Sequence, residues 1–112
     1  MTLYHYRAKL IRVIDGDTVD VMIDLGFDVW IKKRLRLYGI DAPETRTRNL
    51  ELKKKGKAST ERLEELLNEE EFRVLSHGND KYGRCLASIF RGKHVISVNE
   101  VLISEGFASK YV

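Results

Sequence analysis

Three short segments of this sequence concentrate the side chains that could carry out chemistry. Residues 15–18 (DGDT) put two carboxylates around a glycine, and residues 34–45 (RLRLYGIDAPET) put two arginines before Asp41 and Glu44. Residues 80–84 (DKYGR) offer a lysine, a tyrosine and an arginine in one predicted turn. Each segment alone is typical of a turn or a surface ion pair, but the three together indicate one charged cleft.

These residue types suit the cleavage of a phosphodiester bond. Carboxylates from separate loops can bind a hard cation such as Ca²⁺, which takes oxygen ligands and also accepts backbone carbonyls and water. An arginine can hold two phosphate oxygens at once, and it neutralises charge that builds up on phosphorus. A further carboxylate could take the proton from an attacking water. Surface ion pairs and turns would have a similar composition, so the residue types alone leave both interpretations open.

Gly16 interrupts an apolar–polar alternation that otherwise continues from residues 6–13 to residues 19–25. Glycine permits a tight or bulged backbone. We therefore expect Gly16 to let Asp15 and Asp17 converge on one ligand, because successive residues of a regular strand would point to opposite faces.

The composition restricts the class of protein. With 112 residues, 43% of them hydrophobic and 33% charged, the sequence fits one globular domain, which we assign to residues 1–112. No apolar run is long enough to cross a bilayer. The single cysteine, Cys85, excludes an intrachain disulfide and a cysteine-based zinc site, so we expect it to pack in the core.

The N-terminal segment determines the expected location. Residues 1–7 (MTLYHYR) carry polar rings and a charge where a secretory signal needs an uninterrupted apolar stretch. We therefore expect no export signal. This favours the cytoplasm by default, or a secreted protein if a signal has been removed.

Charge is distributed unevenly along the chain, although the net charge is only +3. Residues 46–57 contain six basic residues and one acid, whereas residues 61–71 contain six glutamates and one arginine. A basic segment beside an acidic one indicates one side that faces a polyanion and a solvated opposite side. Both runs are equally typical of ordinary solvated surface.

Alternating apolar and polar positions predict five strands. The strands are residues 6–13, 19–25, 29–38, 72–75 and 84–90. The first three form a predicted meander. Pro43 predicts a loop over residues 41–45, and a lysine-rich loop follows it as far as Gly56.

Two helices are predicted from amphipathic spacing and from capping residues. Residues 57–68 place leucines on one side, with glutamate and arginine between them. Ser97 and Glu100 form a capping box for a helix over residues 98–105, and Gly106 lies where that helix would end. The order of elements predicts a β-rich α+β fold. This is a five-stranded OB-type Greek-key barrel with a helix between strands three and four and a C-terminal helix.

Four motifs in register resemble those of the staphylococcal (micrococcal, thermostable) nuclease family. They are VIDGDTVDV, RLRLYGIDAPET, DKYGRCLASI and NEVLISEGFA, and the similarity extends from about Arg7 to Tyr111. It implies an OB-type barrel and a Ca²⁺-dependent endo- and exonuclease that hydrolyses DNA and RNA to 3′-phosphate and 5′-hydroxyl ends. It also implies a monomer that prefers single-stranded substrate. The family usually continues into a third helix, so we expect less cover over the barrel where this sequence ends.

The resemblance implies a calcium site in the DGDT and DAPE segments. Asp17 and Asp41 match the direct metal ligands, and Ala42 matches the position whose backbone carbonyl completes the protein ligands. Many relatives have threonine at this last position, but a carbonyl ligand does not depend on the side chain. Asp15 and Thr18 match outer-shell residues around the metal and its waters.

The resemblance also implies the catalytic residues. Glu44 matches the general base, or at least the residue that orders the attacking water. Arg36 and Arg84 match the two guanidinium groups that hold the scissile phosphate. Arg84 could in addition contact the leaving oxygen.

Three further residues match contacts to the bound nucleotide. Lys81 and Tyr82 match residues that touch a terminal phosphate, and Tyr111 matches the ring that stacks on a base. The lysine-rich loop, residues 45–56, aligns loosely with a mobile substrate loop of the family. Its basic character suits phosphate attraction without base specificity.

Two interpretations compete with a nuclease. One is a non-catalytic OB-fold module that binds single-stranded nucleic acid, and the other is a protein-interaction scaffold that uses the acidic helix face. A degenerate domain should lack some of the catalytic and metal-binding residues, and a scaffold would need none of them. This chain keeps all five of Asp17, Arg36, Asp41, Glu44 and Arg84.

Overall fold

A closed five-stranded barrel forms the centre of the computed structural model, which describes residues 3–68 and 71–111. The elements are β1 (His5–Asp15), β2 (Thr18–Asp24), β3 (Trp30–Leu37), β4 (Ile40–Asp41), α1 (Leu50–Leu66), β5 (Phe72–Asn79), β6 (Cys85–Arg91), α2 (Val98–Ser104) and β7 (Ser109–Lys110). The barrel order is β1-β2-β3-β6-β5, and β5 pairs with β1 to close it. Only the β3–β6 pair in the barrel is parallel. The predicted α+β barrel, with a helix between its third and fourth strands, is confirmed.

The meander predicted for the first three strands is confirmed, since β1, β2 and β3 pair antiparallel in sequence order. The predicted loop over residues 41–45 is wrong at its first residue. Asp41 lies in β4, which pairs with β7 through Ile40–Lys110 and Asp41–Ser109. This pairing joins distant parts of the chain, so a local alternation pattern could not reveal it.

Helix α1 begins at Leu50, so the prediction of a lysine-rich loop as far as Gly56 is wrong. The Asn49 side chain caps the helix by accepting hydrogen bonds from the backbone N–H groups of Glu51 and Leu52. The three lysines that follow have high helix propensity, which favours helix over loop. Gly56 lies inside the helix, where glycine usually costs stability, so a separate reason for it must exist.

The core fills the barrel and the space under both helices. Its buried strand residues include Val19, Val21, Leu35, Phe72 and Ile89. Leucines from α1 and from α2 pack against them. Cys85 is partly buried against this core, as expected for a packing cysteine. No helix in the described part of the chain is long and apolar enough to span a bilayer.

Helix α2 begins at Val98, as predicted, and ends at Ser104, one residue before the predicted end. The Ser97 hydroxyl accepts a hydrogen bond from the backbone N–H of Glu100, and Gly106 after the helix has a φ of 82°. The buried Asn99 fixes the helix to the barrel. Its amide nitrogen donates to the carbonyls of Tyr38 and Ala87, so α2 holds the segment that leads into β4.

Strand β2 contains a buried carboxylate, Asp20, that faces outward from the barrel between two arginines. Asp20 is 2% exposed, and it accepts hydrogen bonds from Arg34 Nε at 2.8 Å and from Arg12 Nε at 3.4 Å. The hydrogen bond from Arg34 outweighs the effect of burial and lowers the pKa of Asp20 to about 2. The carboxylate therefore stays charged and stabilises the β1–β2–β3 sheet.

We expect Asp20→Asn to lower the free energy of unfolding at neutral pH by about 1.5 kcal/mol, because it weakens hydrogen bonds between charged groups. The folded-state pKa lies below the ordinary aspartate pKa of 3.8, so the stabilisation is present above that pH and is lost as the pH falls toward about 2. Urea unfolding of both proteins over this pH range would measure the difference. Asp28→Asn, in the exposed β2–β3 turn, is the control, and an equal effect of both variants would contradict the expectation.

Candidate active site

One cleft of about 440 Å³ collects side chains from the β1–β2 turn, from β3 and β4, and from the loops before α1 and β6. It is lined by Asp15, Asp17, Thr18, Arg34, Arg36, Asp41, Ala42, Glu44, Gly83, Arg84 and Cys85. All eight residues that the sequence assigned to metal binding, its outer shell and catalysis are among them. The structure thus brings these residues together, while their individual roles stay predictions.

Two irregularities in β1 turn the C-terminal end of this strand toward the cleft. The register with β2 shifts between Leu10 and Arg12 and again between Val13 and Asp15. Such bulges change which face of the sheet a side chain reaches. Asp15 consequently pairs with Thr18, and its carboxylate accepts a hydrogen bond from the Thr45 hydroxyl at 2.9 Å.

Gly16 lies in a tight turn between β1 and β2, beside a register shift, as predicted, and it is also required for close packing. Its φ lies outside the left-handed region, but a Cβ there would lie 2.6 Å from the Cβ of Ser59 and 2.9 Å from the Cβ of Ala42. The β1–β2 turn therefore touches both helix α1 and the loop after β4 at this point. Only glycine leaves room for that contact.

Asp17 is the most constrained carboxylate of the cleft. Its Oδ2 accepts a hydrogen bond from the backbone N–H of Ala42 at 2.9 Å, and its Oδ1 accepts one from the Thr18 hydroxyl at 3.0 Å. Its backbone carbonyl also accepts a hydrogen bond from the N–H of Leu37 at 2.8 Å. These contacts fix the β1–β2 turn against the end of β3 and against the loop that carries Glu44.

Arg36 lies between two carboxylates. Its Nη1 is 3.2 Å from Asp17 Oδ2, and its Nη2 is 3.6 Å from Asp41 Oδ1. Only 14% of the Arg36 side chain is exposed, whereas 60% of the Asp41 side chain is exposed. The guanidinium group is thus held in place from the buried side, and Asp41 remains accessible to a ligand.

Glu44 is exposed on the cleft wall, and its backbone is fixed by helix α1. A Cβ on Gly56 would lie 2.6 Å from the Glu44 carbonyl oxygen and 2.7 Å from that of Pro43. The glycine in the helix therefore allows the loop after β4 to lie directly on the helix. This contact is the reason for Gly56, and its only sign in the sequence is an unexplained glycine.

Arg84 reaches the cleft from a tight turn that ends before β6. Asp80 organises this turn by accepting hydrogen bonds from the backbone N–H groups of Tyr82 and Arg84, each at 2.9 Å, and by pairing with the Arg84 side chain. Desolvation alone would raise the pKa of Asp80, but these hydrogen bonds outweigh it and lower the pKa. The turn is therefore held by an ionised carboxylate.

A second pocket of about 500 Å³ adjoins the cleft and shares Arg36 and Arg84 with it. The three residues assigned to nucleotide contacts, Lys81, Tyr82 and Tyr111, line this pocket and not the cleft itself. The backbone N–H of Tyr111 donates to the carbonyl of Gly39, which fixes it beside β4. The pocket offers aromatic rings and cations next to the site of chemistry.

The donor set of the cleft fits a hard cation. Among residues 3–68 and 71–111, no three His, Cys, Asp or Glu side chains converge closely enough to hold a metal ion by themselves. Asp17, Asp41 and the Ala42 carbonyl nevertheless supply only oxygen, and both carboxylates contact the one side chain of Arg36. Ca²⁺ accepts backbone carbonyls and several waters, so two carboxylates are sufficient protein anions.

Four residues of the site were not assigned to it from the sequence. Gly83 and Cys85 line the cleft, Thr45 holds Asp15, and Ser59 packs against Gly16. Arg34, the first of the two arginines noted in the sequence, also lines the cleft, because it shares one face of β3 with Arg36. The roles of Thr45 and Ser59 depend on contacts between distant segments, which no local pattern reveals.

Comparison with known proteins indicates the same family as the four sequence motifs do. The model of the staphylococcal nuclease homologue family matches residues 34–112. The chain is 36% identical to the thermonuclease of Staphylococcus hyicus over 102 residues, which are 89% of this chain and 56% of that protein. It is 37% identical to the thermonuclease of Staphylococcus intermedius over 99 residues, which are 87% of this chain and 55% of that protein.

An uncharacterized endonuclease of Escherichia coli is 31% identical over 105 residues, which are 94% of this chain and 61% of that protein. The chain therefore spans between 55% and 61% of the length of these three relatives. The family model covers well over half of the chain, from Arg34 within β3 onward. On this match and on the barrel described above, the chain belongs to the staphylococcal nuclease family.

Proposed function

We propose that this chain is a nuclease domain, formed by residues 1–112, that hydrolyses phosphodiester bonds of DNA and RNA. The observation that carries the proposal is the placement of Arg36 and Arg84 in one cleft with Asp17, Asp41 and Glu44. The relatives include a thermonuclease and an endonuclease, which supports it. A domain that only binds nucleic acid would have no need for the carboxylates, which repel phosphate.

We propose Ca²⁺ as the cofactor, held by Asp17, Asp41 and the Ala42 carbonyl, with Asp15 and Thr18 around its waters. When bound, the ion would neutralise charge on the scissile phosphate. The protein's own part is to hold Asp17 in place, which the N–H of Ala42 and the hydroxyl of Thr18 do. Asp41 is largely exposed, which suits a ligand that contacts the ion from the solvent side.

In this proposal, Glu44 acts as the general base. Its carboxylate takes a proton from the water that attacks phosphorus, and the bond from phosphorus to the 5′ oxygen breaks. The leaving oxygen takes a proton from solvent beside Arg84, so the products are a 3′-phosphate and a 5′-hydroxyl. Arg36 and Arg84 hold the phosphate oxygens while negative charge develops on them.

The adjoining pocket would bind the nucleotide next to the scissile bond. Lys81 is close enough to the Tyr82 ring for a cation–π contact, 5.2 Å from its centroid, which places a charge and an aromatic ring side by side. Tyr111 would stack on a base. Phosphate and stacking contacts carry little sequence information, so we propose activity on both DNA and RNA, single strands preferred, by a monomer acting as an endo- and exonuclease.

The test is cleavage of single-stranded DNA by the whole chain with Ca²⁺, beside a sample in EGTA. We expect cutting only with calcium, and fragments that a 5′-kinase can label directly because they carry 5′-hydroxyl groups. Fragments with 5′-phosphate would contradict the proposed bond cleavage. Tight binding without cutting, in Ca²⁺ and in other divalent metals, would overturn the nuclease and favour the non-catalytic OB module.

A further inference from the structure

The outer face of the β1–β2–β3 sheet carries a row of cations that leads into the cleft. Because antiparallel partners face the same side of a sheet, the pairing register shows which side chains share this face. Three successive rows are Arg7–Asp24–Trp30, Lys9–Met22–Lys32 and Arg12–Asp20–Arg34, and the next row is Asp15–Thr18–Arg36 in the cleft itself. We call the first three rows the outer strip.

The bulge in β1 is what assembles this strip. In a regular strand Leu10 and Arg12 would point to the same side of the sheet. Leu10 packs against the core, so without the register shift Arg12 would face the core as well. The shift turns Arg12 outward, opposite Asp20 and in line with Lys9. Four cations thereby lie on the face that continues to the cleft, together with Arg7 at its far end.

The outer strip keeps a positive charge after its internal ion pairs are counted. Asp20 faces both Arg12 and Arg34, so one carboxylate is shared by two guanidinium groups. Among residues 3–68 and 71–111, neither Lys9 nor Lys32 forms an ion pair, and both are exposed. The strip thus presents charges that favour a polyanion.

An aromatic ring lies among these charges. Lys9 Nζ is 5.2 Å from the centroid of the Trp30 ring, and Trp30 is partly exposed at the start of β3. A surface that combines cations with an exposed aromatic ring suits a single-stranded nucleic acid, because phosphates bind the cations and unpaired bases can stack. An acidic protein segment would use the cations but would have no particular use for the ring.

The strip is continuous with the cleft. Arg34 belongs to the outer strip and also lines the cleft, and Arg36 follows it on the same face of β3. From Trp30 to Arg36 the strand covers six residues, or about 20 Å at about 3.3 Å per residue. A strand with its scissile phosphate at Arg36 could therefore extend along the strip as far as Trp30.

We propose that the outer strip binds the single-stranded part of the substrate that extends beyond the cleft, with Lys9, Lys32 and Trp30 as its contacts. The direction of the strand into the cleft rests on the proposed nuclease function, but binding to the strip does not require cleavage. The strip makes affinity depend on strand length. A substrate confined to the cleft cannot reach it.

Trp30 is the only tryptophan of the chain, so its fluorescence reports directly on this surface. In EGTA, which prevents calcium-dependent cutting, we expect oligothymidylate of about 12 nucleotides to quench Trp30 emission, since OB folds occupy about 4 to 16 nucleotides. A thymidine dinucleotide should bind without quenching. Binding of the longer strand with unchanged emission, in titrations followed by anisotropy, would overturn the proposal.

Charge variants test the phosphate contacts. Each phosphate contact to single-stranded nucleic acid adds about 0.7 to the slope of log affinity against log salt, so Lys9→Gln/Lys32→Gln should reduce that slope by about 1.4. At about 0.1 M salt this corresponds to a loss of roughly 25-fold in affinity for the longer strand. Affinity for the dinucleotide should not change.

Lys93→Gln is the matched control, because Lys93 is an exposed lysine in the turn between β6 and α2 and belongs to none of the rows of the strip. If affinity followed net charge alone, Lys93→Gln and Lys32→Gln would have equal effects, which would overturn the proposal. The two proposals can fail separately. Quenching of Trp30 and a smaller salt slope in Lys9→Gln/Lys32→Gln, without cleavage in calcium, would support binding at the outer strip and contradict the nuclease function. Cleavage without either of these signals would support the nuclease function alone.

Discussion

Glu44→Gln should lower kcat for single-stranded DNA by roughly a thousandfold, within the range of about 10²- to 10⁴-fold that general-base catalysis contributes. Glutamine has almost the same shape but cannot take a proton from the attacking water. The side chain is exposed on the cleft wall, so its replacement should not unfold the protein. Calcium-dependent cleavage, measured at saturating substrate, gives kcat directly.

The binding of substrate should survive this change. Arg36 and Arg84 remain in place, because neither of them forms an ion pair with Glu44 in the described part of the chain. The affinity for an oligonucleotide in EGTA should therefore equal that of the unmodified protein. Glu61→Gln, an exposed glutamate on α1, is the control for loss of one negative charge. Unchanged turnover of Glu44→Gln would show that another group activates the water.

The barrel could be predicted from the sequence because its signals are local. Alternation in β2, from Val19 to Ile23, and the cap at Ser97 each depend on residues that are neighbours along the chain. The start of α1 does not follow from its three consecutive lysines, which are common in loops as well as in helices. The cap by Asn49 is the local signal that marks it.

The position of the cleft residues followed from four motifs, but the reasons for their positions did not. Asp41 depends on a pairing with Ser109, and Asp15 depends on a hydrogen bond from Thr45. Both contacts join segments whose relation only the folded chain defines. The same holds for the outer strip, since a one-residue shift in β1 decides whether Arg12 faces solvent or core.

The two close-packed glycines illustrate this point most directly. From the sequence, Gly16 suggested a turn and Gly56 suggested the end of a loop. In the structure Gly16 packs against helix α1, whereas Gly56 lies within α1 and packs against the loop after β4, and neither has a positive φ. Because Gly16 has no side chain, it leaves room for the Cβ of Ser59, and Gly56 likewise leaves room for the backbone of Pro43 and Glu44. The cleft is thus assembled against one helix, which holds together the turn proposed to bind the metal and the loop of the proposed base.

That arrangement leads to a second large effect, in a residue outside the cleft. Gly56→Ala should lower kcat by about a hundredfold, because a displacement of about 1 Å in a reacting group can cost that much. The new methyl group would lie 2.6 Å from the Glu44 carbonyl oxygen and 2.7 Å from its carbonyl carbon. These are backbone atoms, so the whole loop after β4 must move to make room.

Stability should change much less than activity in Gly56→Ala. Alanine gains about 1 kcal/mol of helix propensity over glycine, which offsets part of an overpacking cost of about 1 to 3 kcal/mol. Urea unfolding measures this net change, and kcat measured well below the unfolding transition separates it from catalysis. Glu61→Ala, on the exposed side of the same helix, should leave both quantities unchanged. If Gly56→Ala kept full kcat while folded, the helix contact would not be what positions Glu44, and the loop would have to hold it alone.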